Sequence, residues 1–141
     1  MNVLLIDQTH VVYSLAPKDL CVASVVCFKD FYIIVSHGAS HPFRIDEDPV
    51  AGYNFPNNDI AAGLKSMIDN ATSEEALKAS LIELIGNNMT CVINFSDYKK
   101  VKIGGFLGAK MLKVSNNAMN YISFSVRKEP AKALAEFYSN L

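Results

Sequence analysis

Residues 20–39, LCVASVVCFKDFYIIVSHGA, are the stretch on which the fold turns. Two apolar runs rich in valine and isoleucine meet at the polar pair Lys29-Asp30, and the second closes on Ser36-His37-Gly38-Ala39. β-Branched and aromatic side chains suit a pleated surface, so both runs read as strands. Neither alternates cleanly between apolar and polar residues, which implies cover on both faces. The expectation is a sheet buried from two sides.

On the N-terminal side, 3–6 and 11–16 are short apolar runs split by Asp7-Gln8-Thr9-His10, expected as a first strand pair. Pro17-Lys18-Asp19 punctuates the connection to the next pair. Beyond residue 39 the character changes. Residues 40–58 hold Pro42, Pro49 and Pro56 with the acidic run Asp46-Glu47-Asp48, and read as an irregular excursion. A loop of that length in a compact domain is uncommon and is often a functional or contact element. Ile60, Leu64, Met67 and Ile68 then recur at helical spacing. Thr72-Ser73-Glu74-Glu75 has the form of a capping box with Thr72 as N-cap, and Leu77, Leu81, Leu84 and Ile85 line the helix that follows. Gly86-Asn87-Asn88 provides a left-handed stop. Strands are expected at 89–95, 98–103, 110–114 and 121–126, with Gly104, Gly105 and Gly108 bending the region between the middle two. Pro130 suits the start of a last amphipathic helix carrying Leu134, Phe137 and Tyr138. The pattern predicts an α+β fold over 1–141 as one domain. Its antiparallel β-sheets are stacked, with two central helices and a C-terminal helix on the outer faces.

Composition narrows the function. The chain has 141 residues, half of them apolar, and 13 basic against 14 acidic residues leave a net charge of −1. A nucleic-acid surface would show a strong basic excess, so none is expected; Lys99, Lys100 and Lys102 read as a protected strand edge. Three cysteines without a Cys-x-x-Cys pair do not make a disulfide framework. They lie in apolar runs, as small hydrophobes would, which points to a reducing cytoplasm. No apolar run reaches the ~18 residues that span a bilayer, and Asp7 inside the first apolar segment argues against a signal peptide. The preference for lysine over arginine (only Arg44 and Arg127) and the abundance of asparagine would suit an AT-rich microbial or phage genome.

Several groups could carry chemistry, each with a plainer reading beside it. Ser36, His37 and His41, with Asp46 or Asp48, supply the residue types of a nucleophile, base and orienting acid. Neighbouring strand residues point to opposite faces, however, so Ser36 and His37 are poorly placed to pair. His37 and His41 have a metal-like spacing only on a helix, which Gly38 and Pro42 discourage. Asp46-Glu47-Asp48 could meet a cation or a basic partner, or be a solvated loop. Gly104 and Gly105 could let backbone amides approach a phosphate, but the segment lacks the Gly-Lys-Ser/Thr ending of a P-loop. Tyr53 and Phe55, large aromatics in a Pro/Asn-rich loop, fit interface anchors or rings folded back over the sheet.

The element order also resembles a known family. VVCFKDFYIIVSHGAS (25–40) resembles the hairpin of proteasome-type N-terminal-nucleophile hydrolases, MTCVINFSDYKKVKI (89–103) their next hairpin, and NYISFSVRKEPAKALAEFY (120–138) the strand feeding a helix. The resemblance implies a scaffold of stacked sheets between helical layers, and self-assembly. Those peptidases use a Thr, Ser or Cys whose own free amine activates it, whereas this chain begins Met1-Asn2. Their glycine-rich turn is here Ser125-Val126-Arg127-Lys128-Glu129, so the expectation is the scaffold without the peptidase.

Taken together, a non-enzymatic binding or assembly protein is expected, without cofactor, metal, nucleic acid or membrane. It would associate with itself or another protein through 46–58, with Asp46, Glu47, Asp48, Tyr53 and Phe55 as contacts. The alternatives are a small-ligand binder or enzyme with a pocket near Ser36, His37, His41, Gly104 and Gly105, and a peptidase of the resembled family.

Overall fold

Lys29-Asp30 forms the tight turn between two antiparallel strands, β2 (Asp19–Cys27) and β3 (Phe31–Ala39), in a computed structural model that describes residues 1–14, 19–39 and 53–141. Ala23 to Phe28 and Tyr32 to Val35 are buried without a break. Their side chains alternate between two cores. Val25, Cys27, Tyr32 and Ile34 join one, while Val26, Phe28, Ile33 and Val35 join the other. The missing apolar–polar alternation thus has its physical cause in two covered faces.

The remaining strands are β1 (Leu4–Tyr13), β4 (Val92–Asn94), β5 (Lys100–Phe106), β6 (Ala109–Asn117) and β7 (Asn120–Arg127). All pair antiparallel in the order β4-β3-β2-β1-β7-β6-β5. The α+β class and the antiparallel pairing are as expected, but the strands make one seven-stranded sheet, which stacks on itself by curling. Laid flat, it would hold β4 and β5 roughly 29 Å apart at about 4.8 Å per strand gap. The connection 95–99 reaches roughly 21 Å at full extension, and it contains a 3-10 turn, Phe95–Asp97. The sheet therefore has to curl. Tyr32 on β3 and Phe124 on β7 meet edge to face with centroids 5.2 Å apart, although two strands lie between theirs.

The concave face is filled by the first core, which α3 (Lys128–Phe137) completes with Ala131 and Leu134, together with Tyr138 at its end. The Tyr138 hydroxyl donates to the Phe28 carbonyl at 2.5 Å, and Lys29 Nζ lies 3.9 Å from the Phe137 ring centroid. The end of α3 is thereby tied to the β2–β3 turn. The outer face of β2, β3 and β4 is covered by α1 (Ile60–Asn70) and α2 (Glu74–Leu84) through Leu64, Leu77 and Leu81.

Local departures have local causes. Residues 4–13 are one strand, because Asp7-Gln8 forms a bulge instead of a turn. The α2 cap is Ser73, not Thr72: its backbone is extended and its oxygen accepts the Ala76 N–H at 3.0 Å. At the other end, Asn87 N–H bonds the Ile82 carbonyl and Gly86 N–H the Glu83 carbonyl. This closure needs Gly86 at φ +66°, as its glycine foretold. Residues 89–91 form a 3-10 turn before the short β4. Pro130 falls within the first turn of α3, where helix N–H groups have no partner to lose.

Candidate functional site

Ser24 stands between two bulges. On β1, Ile6 pairs with Val25 and Thr9 with Ala23, so Asp7 and Gln8 together oppose Ser24. On β3, Ser36 pairs with Ala23 and Gly38 with Val22, leaving His37 as the extra residue. Each bulge disrupts ladder bonding, and the serine side chain serves both. The Ser24 hydroxyl donates to the Asp7 carbonyl at 2.5 Å and lies 2.7 Å from His37 Nε2.

That proton order decides the chemistry. A carbonyl can only accept, so the one hydroxyl proton points at Asp7, and His37 must donate its Nε2–H to the serine oxygen. Burial holds the His37 pKa below its ordinary value, which keeps the ring in this neutral form. A nucleophilic serine needs an imidazole that accepts its proton; here the direction is reversed, and Ser24 is fully buried. The trio is a clamp across β1, β2 and β3. His37 thus has a serine partner, but it is Ser24 rather than Ser36, whose backbone hydrogen-bonds Tyr53.

The β1 bulge has a second consequence. β1 pairs with β7 at Val11–Phe124, Val12–Ser123 and Tyr13–Ile122, the Ser14 N–H bonds the Tyr121 carbonyl at 3.0 Å, and toward the start of β1 the ladder between the two strands stops. The Thr9 hydroxyl donates to the Ser125 carbonyl at 2.7 Å and closes the apex of the wedge. The opening is a cleft of about 600 Å³ between residues 4–10 and 125–127, bordered by Glu129, Pro130 and Ala133 of α3. Asp7, His10, Arg127 and Glu129 bring charge and hydrogen-bonding capacity of both signs to it. Arg127 Nη1 also donates to the Leu107 carbonyl at 3.2 Å, which holds the β5–β6 turn beside this end of β7. In the sequence the cleft announces itself only as the polar interruption 7–10, which a turn explains equally well.

The other expected site residues are placed as follows. Gly104 and Gly105 are ladder residues of β5, paired with Met111 and Lys110. The turn after them is a two-residue loop with Leu107 at φ 50° and Gly108 at φ 81°, the signs of a type I′ hairpin. Tyr53 and Phe55 pack partly buried against the core under α1 and α2, their centroids 6.1 Å apart. Phe55 lies so close to Gly63 that a Cβ there would sit 2.2 Å from the ring. His41, Asp46, Glu47 and Asp48 lie outside the described residues.

The three cysteines form no disulfide with one another; Cys27 is fully buried, and burial pushes its pKa up to about 12. Among the described residues no cluster of three or more His, Cys, Asp and Glu side chains is arranged to hold a metal ion. No helix formed by them is long and apolar enough to cross a membrane. Comparison with protein-family models, curated proteins and solved structures found no match to this chain.

Proposed function

We propose that this chain is a non-catalytic binding protein whose cleft between β1 and β7 accepts an extended segment of another protein as an added strand. The observation that carries this reading is the divergence of two strands that already lie in one sheet. Leu4, Leu5 and Ile6 pair with β2, Asp7 and Gln8 form the bulge, and none of the five has a β7 partner. From Ser125 to Arg127, β7 is paired with β6 and not with β1. Open edges bind extended peptides through main-chain hydrogen bonds, with side-chain pockets adding specificity. The regular stretch Leu4–Ile6 offers roughly 10 Å of edge at about 3.4 Å per residue. Asp7 and Arg127 flank these edges with charge, a common device against indiscriminate edge pairing.

We place the contact element at the cleft; Tyr53 and Phe55 of the 46–58 loop pack partly buried against the core under α1 and α2, and 46–52 lie outside the described residues. The resemblance to N-terminal-nucleophile hydrolases contributes nothing to this reading. The test is selection from a library of extended peptides, followed by amide shift mapping. Shifts confined to 4–10, 125–129 and Ala133 are expected. Ala133→Trp, which fills the cleft from the helix side, should abolish binding at unchanged Tm. Peptide binding that maps elsewhere, or that survives Ala133→Trp, overturns the proposal.

A further inference from the structure

The β5–β6 ladder leaves a second, chemically different groove of about 340 Å³, lined by Lys99, Lys100, Lys102, Lys113, Ser115 and Asn116 with Asn117 at its end. The register sets Lys102 directly opposite Lys113 and Lys100 opposite Ser115. Lys100 and Lys102 are two apart and so share a face of the sheet. Like charges directly opposite one another destabilise a sheet, and among the described residues no carboxylate lines this groove to offset them. Protection of an edge strand by lysines accounts for those on β5. It does not account for Lys113, because β6 lies inside the sheet between β5 and β7. Lys113 is also held in place, its Nζ 4.4 Å from the Tyr121 ring centroid.

The two asparagines sharpen the chemistry. Asn116 Oδ1 accepts the Lys99 N–H at 3.1 Å, and Asn117 Oδ1 accepts the Met119 N–H at 2.8 Å. With each carboxamide oxygen already accepting a backbone N–H, both side chains keep their NH₂ groups as donors. Four ammonium groups, two amide NH₂ groups and one hydroxyl then offer donors with almost no acceptor among them. Such a lining selects a ligand rich in acceptors and carrying several negative charges.

We propose that this groove binds a compact ligand bearing two or more phosphate groups. Phosphates match lysines acting as compact point charges with three donors each. Size favours a small molecule, since 340 Å³ lies at the lower end of small-ligand sites. Charge argues the same way. Removing these four lysines from a chain of net charge −1 leaves −5 for the rest, so a long polyanion would meet repulsion beyond the groove. The groove lies on β5 and β6, and the proposal is independent of the peptide cleft.

The experiment is calorimetric titration of the full chain with tripolyphosphate and pyrophosphate at low ionic strength, with amide shift mapping. One-to-one binding that weakens with added salt is expected, with shifts at 99–102 and 113–117. The double variant Lys102→Gln, Lys113→Gln should weaken tripolyphosphate binding at least tenfold while Tm stays level or rises. Three results would overturn the proposal: citrate binding as tightly as tripolyphosphate, affinity for single-stranded oligonucleotides that exceeds it and grows with length, or unchanged affinity in the double variant. The first would mark unselective anion attraction and the second a nucleic-acid surface.

Discussion

Ser24 shows how one buried hydroxyl can organise three strands. Its oxygen answers both the Asp7 carbonyl and the His37 ring, so Ser24→Ala leaves two polar groups without their partner. Asp7 is exposed and His37 only partly buried, so water can take up part of what is lost, and a loss of about 0.5–1.5 kcal/mol, the net worth of an ordinary hydrogen bond, is expected from urea unfolding. A loss below the lower bound would show that the clamp contributes little. His37 adds a pH signature. Its folded pKa is depressed below 6.5 by burial, so the unfolded chain takes up its proton more readily. The contribution to stability is complete above that ordinary value and is lost as the pH falls through it toward the lower folded value. His37→Gln should flatten this acid-side decline in unfolding free energy between pH 7 and 5; an unchanged profile would assign the decline to other groups.

Among the elements, β2 and β3 carry the largest share of covered surface, with apolar residues on both faces and partners on both edges. Their amides are expected to exchange with deuterium among the slowest in the chain, at rates set by global unfolding. Fast exchange across both strands would contradict the two-sided burial. The helices depend on smaller devices. α2 is fixed by Ser73 at one end and Gly86 at the other, while α1 presents Gly63 to the Phe55 ring. The cleft belongs to this scale as well: a two-residue bulge in β1 redirects half a strand and turns a continuous ladder into a wedge.

For the whole molecule, curling is the event that makes one core of two halves of a sheet. The Tyr32–Phe124 contact spans the curl, and Phe124 is 1% exposed. Phe124→Ala is expected to cost about 3–5 kcal/mol, a large fraction of the 5–15 kcal/mol that holds a typical domain. Urea unfolding gives the number, and hydrogen exchange should show protection falling on β3 and β7 together. Loss confined to β7 would mean that the two halves are held by something other than this contact.

Much of this architecture is local and therefore readable in the chain. Uninterrupted apolar runs specify β2 and β3, helical spacing specifies α1 and α2, and Gly86 marks a helix end, because each depends on neighbours within a few residues. The sequence alone also indicated the α+β class, since the order of such elements restricts how they can layer. It did not resolve the β1 bulge, because a polar tetrad such as Asp7-Gln8-Thr9-His10 fits a turn or a bulge equally well until a partner strand sets the register. The pairing of His37 with Ser24, 13 positions earlier, needs two strands in register with a bulge on each side. Thr9 reaches Ser125 across 116 positions, and the β1–β7 cleft exists only because that long-range pairing begins and then fails. The donor-lined groove likewise arises when β5 meets β6 and sets Lys102 against Lys113. Short-range propensity wrote the elements; the contacts that create both sites are long-range, and only the folded sheet decides them.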